Sequence, residues 1–381
     1  MAKRTRKTVE EQPDKLSDQM KRRAARRNER RPAKKTKKFL STGSTMLNLS
    51  FSDSVDGGWP IGQINTLPGQ SSAGKTILVL STFAEACINP DFDEYLLIYD
   101  DVERRCDFDM SKLFGALNDR LITPSGLLYK DLEGKEDESG ISDTIQDLRN
   151  RMLMLKKERK PFIYVADSLD SFSTDEELEK EMKRAIAAAK TPEAAKKIAG
   201  SFNAEKAKIT GQVLRMINGV VKETNSLFIL TQQLRQTIGA MPGQSKYNTS
   251  GGEAPYFYSH IRPWLTKIAA LKDNNIKIGV RSKSRMDKNS VTGKPRDVEF
   301  NIYYDLGIDD NASMVDFLIA EKHWTGGGWP EAKEFEIKVN GKDALVREIE
   351  NQGLEGRMKR IVQKVWNKRE EALLLNRKSR Y

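Results

Sequence analysis

The chain has 381 residues and a formal net charge of +11, and 38% of its residues are hydrophobic and 31% charged. This length accommodates one large α/β domain with appendages, or two domains. No apolar run reaches the length of a membrane span and no secretory signal opens the sequence, so we expect neither a membrane protein nor a secreted one. Two cysteines, Cys87 and Cys106, form no C-x-x-C motif, which fits a reducing cytoplasm.

The positive charge is concentrated at one end of the chain. Residues 1–38 hold 16 Lys and Arg against 5 Asp and Glu, whereas the remainder holds 49 of each kind. A basic arm of this kind, disordered or helical, favours a polyanionic partner through release of counterions. The alternative is a solvated tail that aids solubility, and we favour contact with nucleic acid.

A glycine-rich motif follows the first strand of the globular part, which is predicted at Gln63–Leu67, and precedes a helix-compatible run at Ile77–Ala86. Its spacing, G-x-x-x-x-G-K-T, is that of a P-loop, whose backbone N–H groups face phosphate oxygens at a helix N-terminus. The lysine is expected to bridge the β- and γ-phosphates and the threonine hydroxyl to ligate Mg²⁺. The predicted nucleotide-binding residues are Gly69, Gln70, Ser71, Ser72, Ala73, Gly74, Lys75 and Thr76.

Three continuous apolar runs predict strands that are buried on both faces of a parallel sheet. They are Tyr95–Tyr99, Phe162–Asp167 and Ser226–Leu230, and stretches with helical periodicity lie between them at 143–157 and 174–218. Alternating strands and helices predict an α/β fold with a twisted, mostly parallel sheet.

The second of these strands ends in a carboxylate, Asp167. In P-loop NTPases a carboxylate at this strand end orients Mg²⁺, usually through water. Many strands end in aspartate, but behind a P-loop in a β–α–β pattern the signal is strong. The sequence therefore predicts Thr76 and Asp167 as the magnesium site.

The rest of the chain predicts a long loop, a basic turn and a helical end. Residues 234–252 have no useful period, and a loop of that length is usually functional or disordered. A basic turn is predicted at Lys283–Lys288, and a basic amphipathic helix at Gly353–Arg377. Further strands are predicted at 265–271, 276–281 and 298–304.

These patterns predict three parts. They are a basic N-terminal arm at 1–38, a nucleotide-binding core at 39–330 and a small α-rich C-terminal domain at 331–381.

At this point several motifs occur in an order that resembles RecA-type homologous-recombination proteins, both the bacterial kind and the kind encoded by large phages. The resemblance runs from about Phe39 to Trp329 and implies a RecA-like P-loop NTPase core. Its most specific pieces besides the P-loop are Ser41-Thr-Gly-Ser44, Gly58-Trp-Pro-Ile-Gly62, Asp101-Val-Glu103, Val165-Ala-Asp-Ser168, Gln232-Gln-Leu-Arg235 with Ile238-Gly239, and Ser250-Gly-Gly252 followed by Phe257-Tyr-Ser259.

The resemblance implies roles for two polar residues near the phosphates. Glu103 falls where the family keeps the glutamate that positions or activates the attacking water, with Asp100 and Asp101 as adjacent candidates. Gln233 falls at the family's γ-phosphate sensor, where a neutral amide can bind the terminal phosphate and relay its loss to the next loop. Lys75 completes this group by neutralising phosphate charge.

The loop at 234–252 resembles the family's second DNA-binding loop. Arg235 would contact phosphate and Met241 would act as an apolar wedge between bases. The helical region 173–203 covers the first DNA loop, where the sequence singles out no contact residue. The predicted DNA-binding residues are Arg235, Gly239, Met241, Gly243, Lys246, Gly251 and Gly252.

Lys283 and Arg285 match a basic pair that, in the family, reaches the ATP of the adjacent subunit. The resemblance therefore implies a composite active site, with each cation stabilising transition-state charge in trans. The alternative is an ordinary basic turn that faces solvent. On the adenine side the family's aromatic residue is replaced near Asp107, so stacking shifts to Phe108 or is lost.

The leading hypothesis is an ATP-dependent DNA strand-exchange recombinase that polymerises on single-stranded DNA and uses Mg²⁺. Expected partners are single- and double-stranded DNA, further copies of the chain, and single-strand-binding and mediator proteins. The expected location is the cytoplasm of a bacterial or phage-infected bacterial cell. Two alternatives stay open: a RecA-like accessory or architectural DNA-binding protein that exchanges no strands, and a ring-forming helicase motor.

Overall fold

A computed structural model of the protein describes residues 37–106, 109–115, 120–122, 142–190, 202–236, 247–375 and 377. Predictions for the arm up to residue 36, for Asp107 and Phe108, and for the middle of the long loop at 237–246 lie outside the described residues. From Phe39 onward the described chain forms one compact unit.

Within the described residues, ten strands share one sheet and four others form two short antiparallel pairs. In chain order the strands are β1 (Phe39–Leu40), β2 (Trp59–Pro60), β3 (Gln63–Gly69), β4 (Leu96–Asp101), β5 (Leu121–Ile122), β6 (Phe162–Asp167), β7 (Leu227–Gln236), β8 (Tyr247–Thr249), β9 (Ile261–Asp273), β10 (Ile276–Asn289), β11 (Val298–Tyr303), β12 (Gly307–Asp309), β13 (Glu331–Ala332) and β14 (Ile337–Lys338).

Helices cover the sheet and follow its strands. They are α1 (Thr45–Ser52), α2 (Lys75–Ile88), α3 (Met110–Phe114), α4 (Ile145–Glu158), α5 (Asp175–Lys190), α6 (Phe202–Glu223), α7 (Ala254–Tyr258), α8 (Asp310–Ala320), α9 (Lys342–Asn351) and α10 (Glu355–Ala372). Single 3₁₀ turns occur at Pro90–Phe92 and Leu169–Ser171.

The large sheet has two halves. Its order is β12-β11-β10-β9-β3-β7-β6-β4-β5, with β8 paired to β7. Neighbours from β3 through β7, β6 and β4 to β5 are parallel, whereas β9 to β12 are antiparallel neighbours. The halves join where β3 and β9 pair at Gly69 and Leu265. The predicted α/β fold with a mostly parallel sheet is confirmed for the half that carries the P-loop.

The parallel strands are buried on both faces, as their continuous apolar sequences predict. In β6, Ile163 and Val165 join the apolar cluster on the α2 side of the sheet. The alternate residues Tyr164 and Ala166 join a second cluster with α4 and α6. Every residue of β6 is therefore buried, including Asp167 at its C-terminal end.

The predicted basic turn at Lys283–Lys288 is wrong, because these residues lie inside β10. Ser282, Ser284 and Met286 point inward and are buried, so Lys283 and Arg285 occupy the alternate, outward positions of β10. Two of the three inward residues are serines rather than large apolar residues, so the sequence does not show the alternation of a strand.

The predicted structureless loop at 234–252 begins and ends in strands. β7 continues to Gln236, and its last residues pair antiparallel with β8, with Leu234 opposite Thr249 and Gln236 opposite Tyr247. The hydrogen bonds of this pairing come from the backbone, so the side-chain pattern gives no sign of it. This pairing joins the residues on either side of 237–246, which lie outside the described residues.

The last helix, α10, packs against the core. Its Trp366 is fully buried and donates to Asp53 Oδ1 over 3.0 Å. The Arg296 guanidinium donates two hydrogen bonds of 2.6 and 2.8 Å to Glu370. These bonds are the largest cause of the lowered pKa of Glu370, which is about 2. The predicted helix at Gly353–Arg377 is thus observed with shorter bounds, and the structure adds the small β13–β14 pair. None of the helices in the described part of the chain is long and apolar enough to cross a membrane.

Candidate nucleotide-binding site

The P-loop connects the end of β3 to the start of α2, as the motif predicts. Ser72 and Gly74 have φ angles of 56° and 90°, in the left-handed region. At Gly74 a side chain is also excluded by space, because a Cβ atom there would lie 2.1 Å from Ile302 Cδ1. The loop rests on the neighbouring strands, since the Gln70 N–H donates to Leu265 O over 3.0 Å. These constraints give the tight turn that phosphate binding requires.

Lys75, the first residue of α2, folds back over the loop. Its Nζ donates to Gly69 O and Gln70 O over 3.1 and 3.0 Å. Burial lowers the pKa of Lys75, and the nearby carboxylates of Asp167, Glu103 and others oppose that shift. The ammonium therefore lies within the turn, where a phosphate would supply further counter-charge.

The carboxylate of Asp167 is the buried centre of the site, with only 4% of the residue exposed. It accepts hydroxyl hydrogen bonds from Thr76 over 3.0 Å, Thr231 over 2.5 Å and Tyr99 over 3.2 Å. Burial raises the pKa of Asp167, and the hydroxyl donors oppose this increase. Oxygen donors from Thr76 and Asp167 on one side of the P-loop fit Mg²⁺, which prefers one or two protein oxygens with phosphates and water.

Glu103 lies beside this centre. Its backbone N–H donates to Asp167 O over 3.1 Å, and its Oε1 accepts from Gln233 Nε2 over 2.7 Å and from Ser168 Oγ over 2.5 Å. The peptide bond between Asp167 and Ser168 is cis. The structure thus brings together Glu103 and Gln233, which are 130 positions apart in the sequence.

The two adjacent acidic candidates have other partners. Asp100 is fully buried and accepts from Tyr164 OH over 2.5 Å and from the Ser142 N–H over 3.0 Å. Asp101 Oδ2 accepts the backbone N–H groups of Arg105 and Cys106. Of the three carboxylates, Glu103 is the one hydrogen-bonded to Gln233.

Gln233 occupies the point where β7 leaves the core. Its backbone N–H donates to Asp170 Oδ2 over 2.7 Å, so both its main chain and its side chain are fixed by acidic groups. The preceding residue, Gln232, is fully buried and donates to Ser250 O over 2.9 Å. The strand therefore connects the nucleotide site with the far end of the predicted DNA loop.

Three of the predicted DNA-binding residues lie in the described part. Arg235 belongs to β7, and its backbone pairs with Asn248. Gly251 and Gly252 have φ angles of 86° and 67°, and a Cβ at Gly251 would lie 2.6 Å from Leu169 Cδ2. The other four predicted DNA-binding residues lie outside the described residues: Gly239, Met241, Gly243 and Lys246. The predicted nucleotide contact Asp107 also lies outside them.

Lys283 and Arg285 lie on the outward face of β10. Lys283 Nζ is 3.3 Å from Asp297 Oδ2, and the Arg285 guanidinium lies 5.2 Å from the Trp264 ring centroid. Ser282, the residue before Lys283, faces inward and donates to Ala73 O of the P-loop over 3.0 Å, so the side chains of Lys283 and Arg285 leave β10 on the opposite face. Within the described residues, neither cation is hydrogen-bonded to Glu103, Gln233 or the P-loop.

Several residues of the site were not found from the sequence. Tyr99 and Thr231 hold Asp167, Ser168 holds Glu103, and Asp170 holds the backbone of Gln233. Each lies at or just after the C-terminal end of a predicted strand. Because ligands of parallel sheets bind at this edge, that position is the feature of the sequence that could have identified them.

Comparison with known proteins gives one consistent result. The sequence matches the family described as the RecA N-terminal domain over residues 165–309. Protein RecA of Geobacter sulfurreducens is 28% identical over 280 residues, which cover 74% of this chain and 71% of that protein. For Protein RecA of Chlorobaculum tepidum the identity is 29%, with 74% and 69% covered. For Protein RecA of Chloroherpeton thalassium it is 30%, with 74% and 67% covered.

Proposed function

This chain belongs to the RecA family, and from that premise we propose that it is an ATP-dependent DNA strand-exchange recombinase that forms filaments on single-stranded DNA. The observation that carries the proposal is the 2.7 Å hydrogen bond between Glu103 and Gln233. One of these side chains suits activation of a water molecule, and the other belongs to the strand that enters the predicted DNA loop.

In the proposed reaction, water attacks the γ-phosphate of ATP in line with the leaving ADP. Glu103 orients that water and accepts its proton, while Lys75 neutralises phosphate charge. When bound through Thr76 and Asp167, Mg²⁺ supplies further charge neutralisation. Gln233 senses the terminal phosphate by exchanging its bond with Glu103 for a bond to phosphate oxygen. Hydrolysis then acts as a release switch for DNA.

The nucleotide would lie between two copies of the chain. Lys283 and Arg285 point away from the face of β10 that contacts their own P-loop through Ser282, so we assign them to the nucleotide of an adjacent copy. A head-to-tail contact of this kind repeats into an open helical filament. Single- and double-stranded DNA are the proposed ligands of this filament, with single-strand-binding and mediator proteins as further partners. The proposed setting is the cytoplasm of a bacterial or phage-infected bacterial cell.

Electron microscopy of the protein with single-stranded DNA and a slowly hydrolysed ATP analogue tests this proposal. We expect helical filaments, together with ATP hydrolysis that DNA stimulates and exchange of homologous strands. Closed rings would favour a helicase motor, and DNA binding with neither hydrolysis nor exchange would favour an architectural protein.

Lys75→Ala provides the control for the link between hydrolysis and release. The variant loses a charge that binds phosphate, so its filaments should not show ATP-driven disassembly. If Lys75→Ala filaments disassemble at the normal rate, hydrolysis is not the release switch.

A further inference from the structure

The buried guanidinium of Arg262 joins four segments around the base of the predicted DNA loop. Only 3% of this residue is exposed. Its Nη1 donates to Thr66 Oγ1 over 2.9 Å and to Gln232 Oε1 over 2.7 Å. Its Nη2 donates to Thr249 Oγ1 over 3.1 Å, and its Nε to Asp287 Oδ2 over 3.1 Å. A guanidinium presents five N–H donors in a fixed plane, so it can hold all four groups at once.

These partners occupy informative positions. Gln232 and Thr249 lie on either side of the segment 237–246, on β7 and β8. Gln232 also donates to Ser250 O, which ties the two sides a second time. Thr66 lies on β3, the strand that delivers the P-loop. Arg262 thus contacts both ends of the loop and the strand of the nucleotide site.

We propose that Arg262 is a positioning residue that couples DNA binding at the loop to nucleotide binding at the P-loop. The inference rests on the proposed function, in which the loop at 234–252 binds DNA. Gln233 responds to the terminal phosphate, and its neighbour Gln232 is held by Arg262, so movement of β7 at Gln233 is passed to Thr249 on the other side of the loop. Without this guanidinium the β7–β8 ladder and the bond from Gln232 to Ser250 O would still join the two sides, but their shared side-chain link to Thr66 on β3 would be lost.

Lysine is a poor substitute at this position. A single ammonium has three donors on a flexible stem and lacks the planar fork of a guanidinium. Arg262→Lys keeps the charge opposite Asp287 while it breaks the simultaneous contact with Thr66, Gln232 and Thr249. The variant therefore separates the coupling role from the need for a buried positive charge.

The test measures the Kd for a fluorescent single-stranded oligonucleotide with the slowly hydrolysed ATP analogue and with ADP. The Kd with ADP divided by the Kd with the ATP analogue reports the coupling. For Arg262→Lys we expect this ratio to fall about tenfold towards one, since a coupling between sites typically has this size. Affinity for the nucleotide without DNA should not change.

The matched control is Arg296→Lys, which weakens a similar two-bond contact to Glu370 away from the loop and should leave the ratio unchanged. If Arg262→Lys does not fold, Thr249→Val removes one bond at the half-buried end of the loop and should lower the ratio by roughly twofold to tenfold, as the net contribution of a single hydrogen bond implies.

Two results would contradict the inference, and they differ. In the first, the DNA affinity of the wild-type protein depends on the nucleotide, but the variants at Arg262 and Thr249 have the same ratio of Kd values as the wild type. Arg262 is then not the coupling residue. A wild-type ratio of one would instead contradict the proposed function, and the inference with it.

Discussion

The carboxyl edge of the parallel half of the sheet and the outward face of β10 in the antiparallel half hold their charged side chains in different ways. In the parallel half, Asp167 is 4% exposed and fixed by three hydroxyl groups. In the antiparallel half, the side chains of Lys283 and Asp297 are each 40% exposed and form one ion pair at 3.3 Å. Buried polar groups keep fixed partners because losing them is costly, whereas exposed ion pairs contribute little and exchange partners readily.

This difference separates two kinds of site. The parallel half brings together within one chain the P-loop, the oxygens proposed to bind Mg²⁺, Glu103 and Gln233. The outward face of β10 carries Lys283 and Arg285, which their own chain holds weakly, and this suits the proposed contact with another copy. The following experiments test this division, from the largest expected effect to the smallest.

Replacing Glu103 tests the parallel half directly. Glu103→Gln keeps the size and the hydrogen bonds of the side chain but cannot accept a proton. We expect kcat for ATP to fall by about 10²- to 10⁴-fold, the usual contribution of a general base, with nucleotide affinity unchanged. Steady-state hydrolysis and equilibrium nucleotide binding measure the two quantities.

Asp101→Asn is the matched control for Glu103→Gln. Asp101 accepts two backbone N–H groups in the same turn, so its loss should affect stability more than kcat. An Asp101→Asn variant as inactive as Glu103→Gln would show that the catalytic carboxylate has been assigned to the wrong residue.

Mixing two inactive variants tests the antiparallel half. Glu103→Gln lacks the acidic group, and the double variant Lys283→Ala with Arg285→Ala lacks the cations, so each should be inactive by itself. In a randomly mixed head-to-tail filament about a quarter of the interfaces would hold both intact sets. We expect hydrolysis to return to roughly that fraction of the wild-type rate, measured with saturating single-stranded DNA.

The mixture also has a clear negative result. If each active site were complete within one chain, mixing would restore no activity. The antiparallel half would then belong to the same internal site as the parallel half, despite the separation of its cations from the P-loop.

Stability measurements give the smallest expected effect. Burial raises the pKa of Asp167, so the folded protein binds this proton more tightly than the unfolded chain does. The contribution of Asp167 to stability is therefore most favourable below the unfolded pKa and declines as pH rises through the folded pKa. Asp167→Asn removes this decline, so without Mg²⁺ or nucleotide we expect the free energy of unfolding of the variant to rise relative to that of the wild type between pH 5 and pH 8, while activity is lost.

Asp297→Asn is the comparison in the antiparallel half. It breaks the exposed pair with Lys283, and we expect a change in the free energy of unfolding of no more than about 0.5 kcal/mol. Urea unfolding at pH 5 and pH 8 measures both variants. If the difference in unfolding free energy between Asp167→Asn and the wild type is the same at pH 5 and pH 8, the buried carboxylate does not titrate differently in the folded and unfolded protein, and the contrast with the exposed pair is wrong.

The sequence was most informative where side-chain pattern and chemistry coincide. The apolar runs before Asp100, Asp167 and Thr231 predicted the parallel strands, and the P-loop spacing predicted the turn around Lys75. The resemblance then selected Glu103 and Gln233 for the site, and the structure places them in contact.

The rest depends on contacts that no local pattern records. Lys283 and Arg285 alternate with small buried serines, so the sequence predicts a turn where the structure has a strand. Arg262 was not singled out, because its role comes from four partners on different strands. The pairing of β7 with β8 is made by backbone groups, which the side-chain sequence does not show.

The P-loop also rests on an outer strand of the antiparallel half, where Gly74 packs against Ile302 of β11. This contact places an apolar side chain beneath the loop that would bind the phosphates. A movement of β11 towards the loop would press on Gly74, and a movement away would remove this support. The shape of the phosphate-binding turn therefore depends on an uncharged contact with a distant part of the sheet as well as on its own backbone.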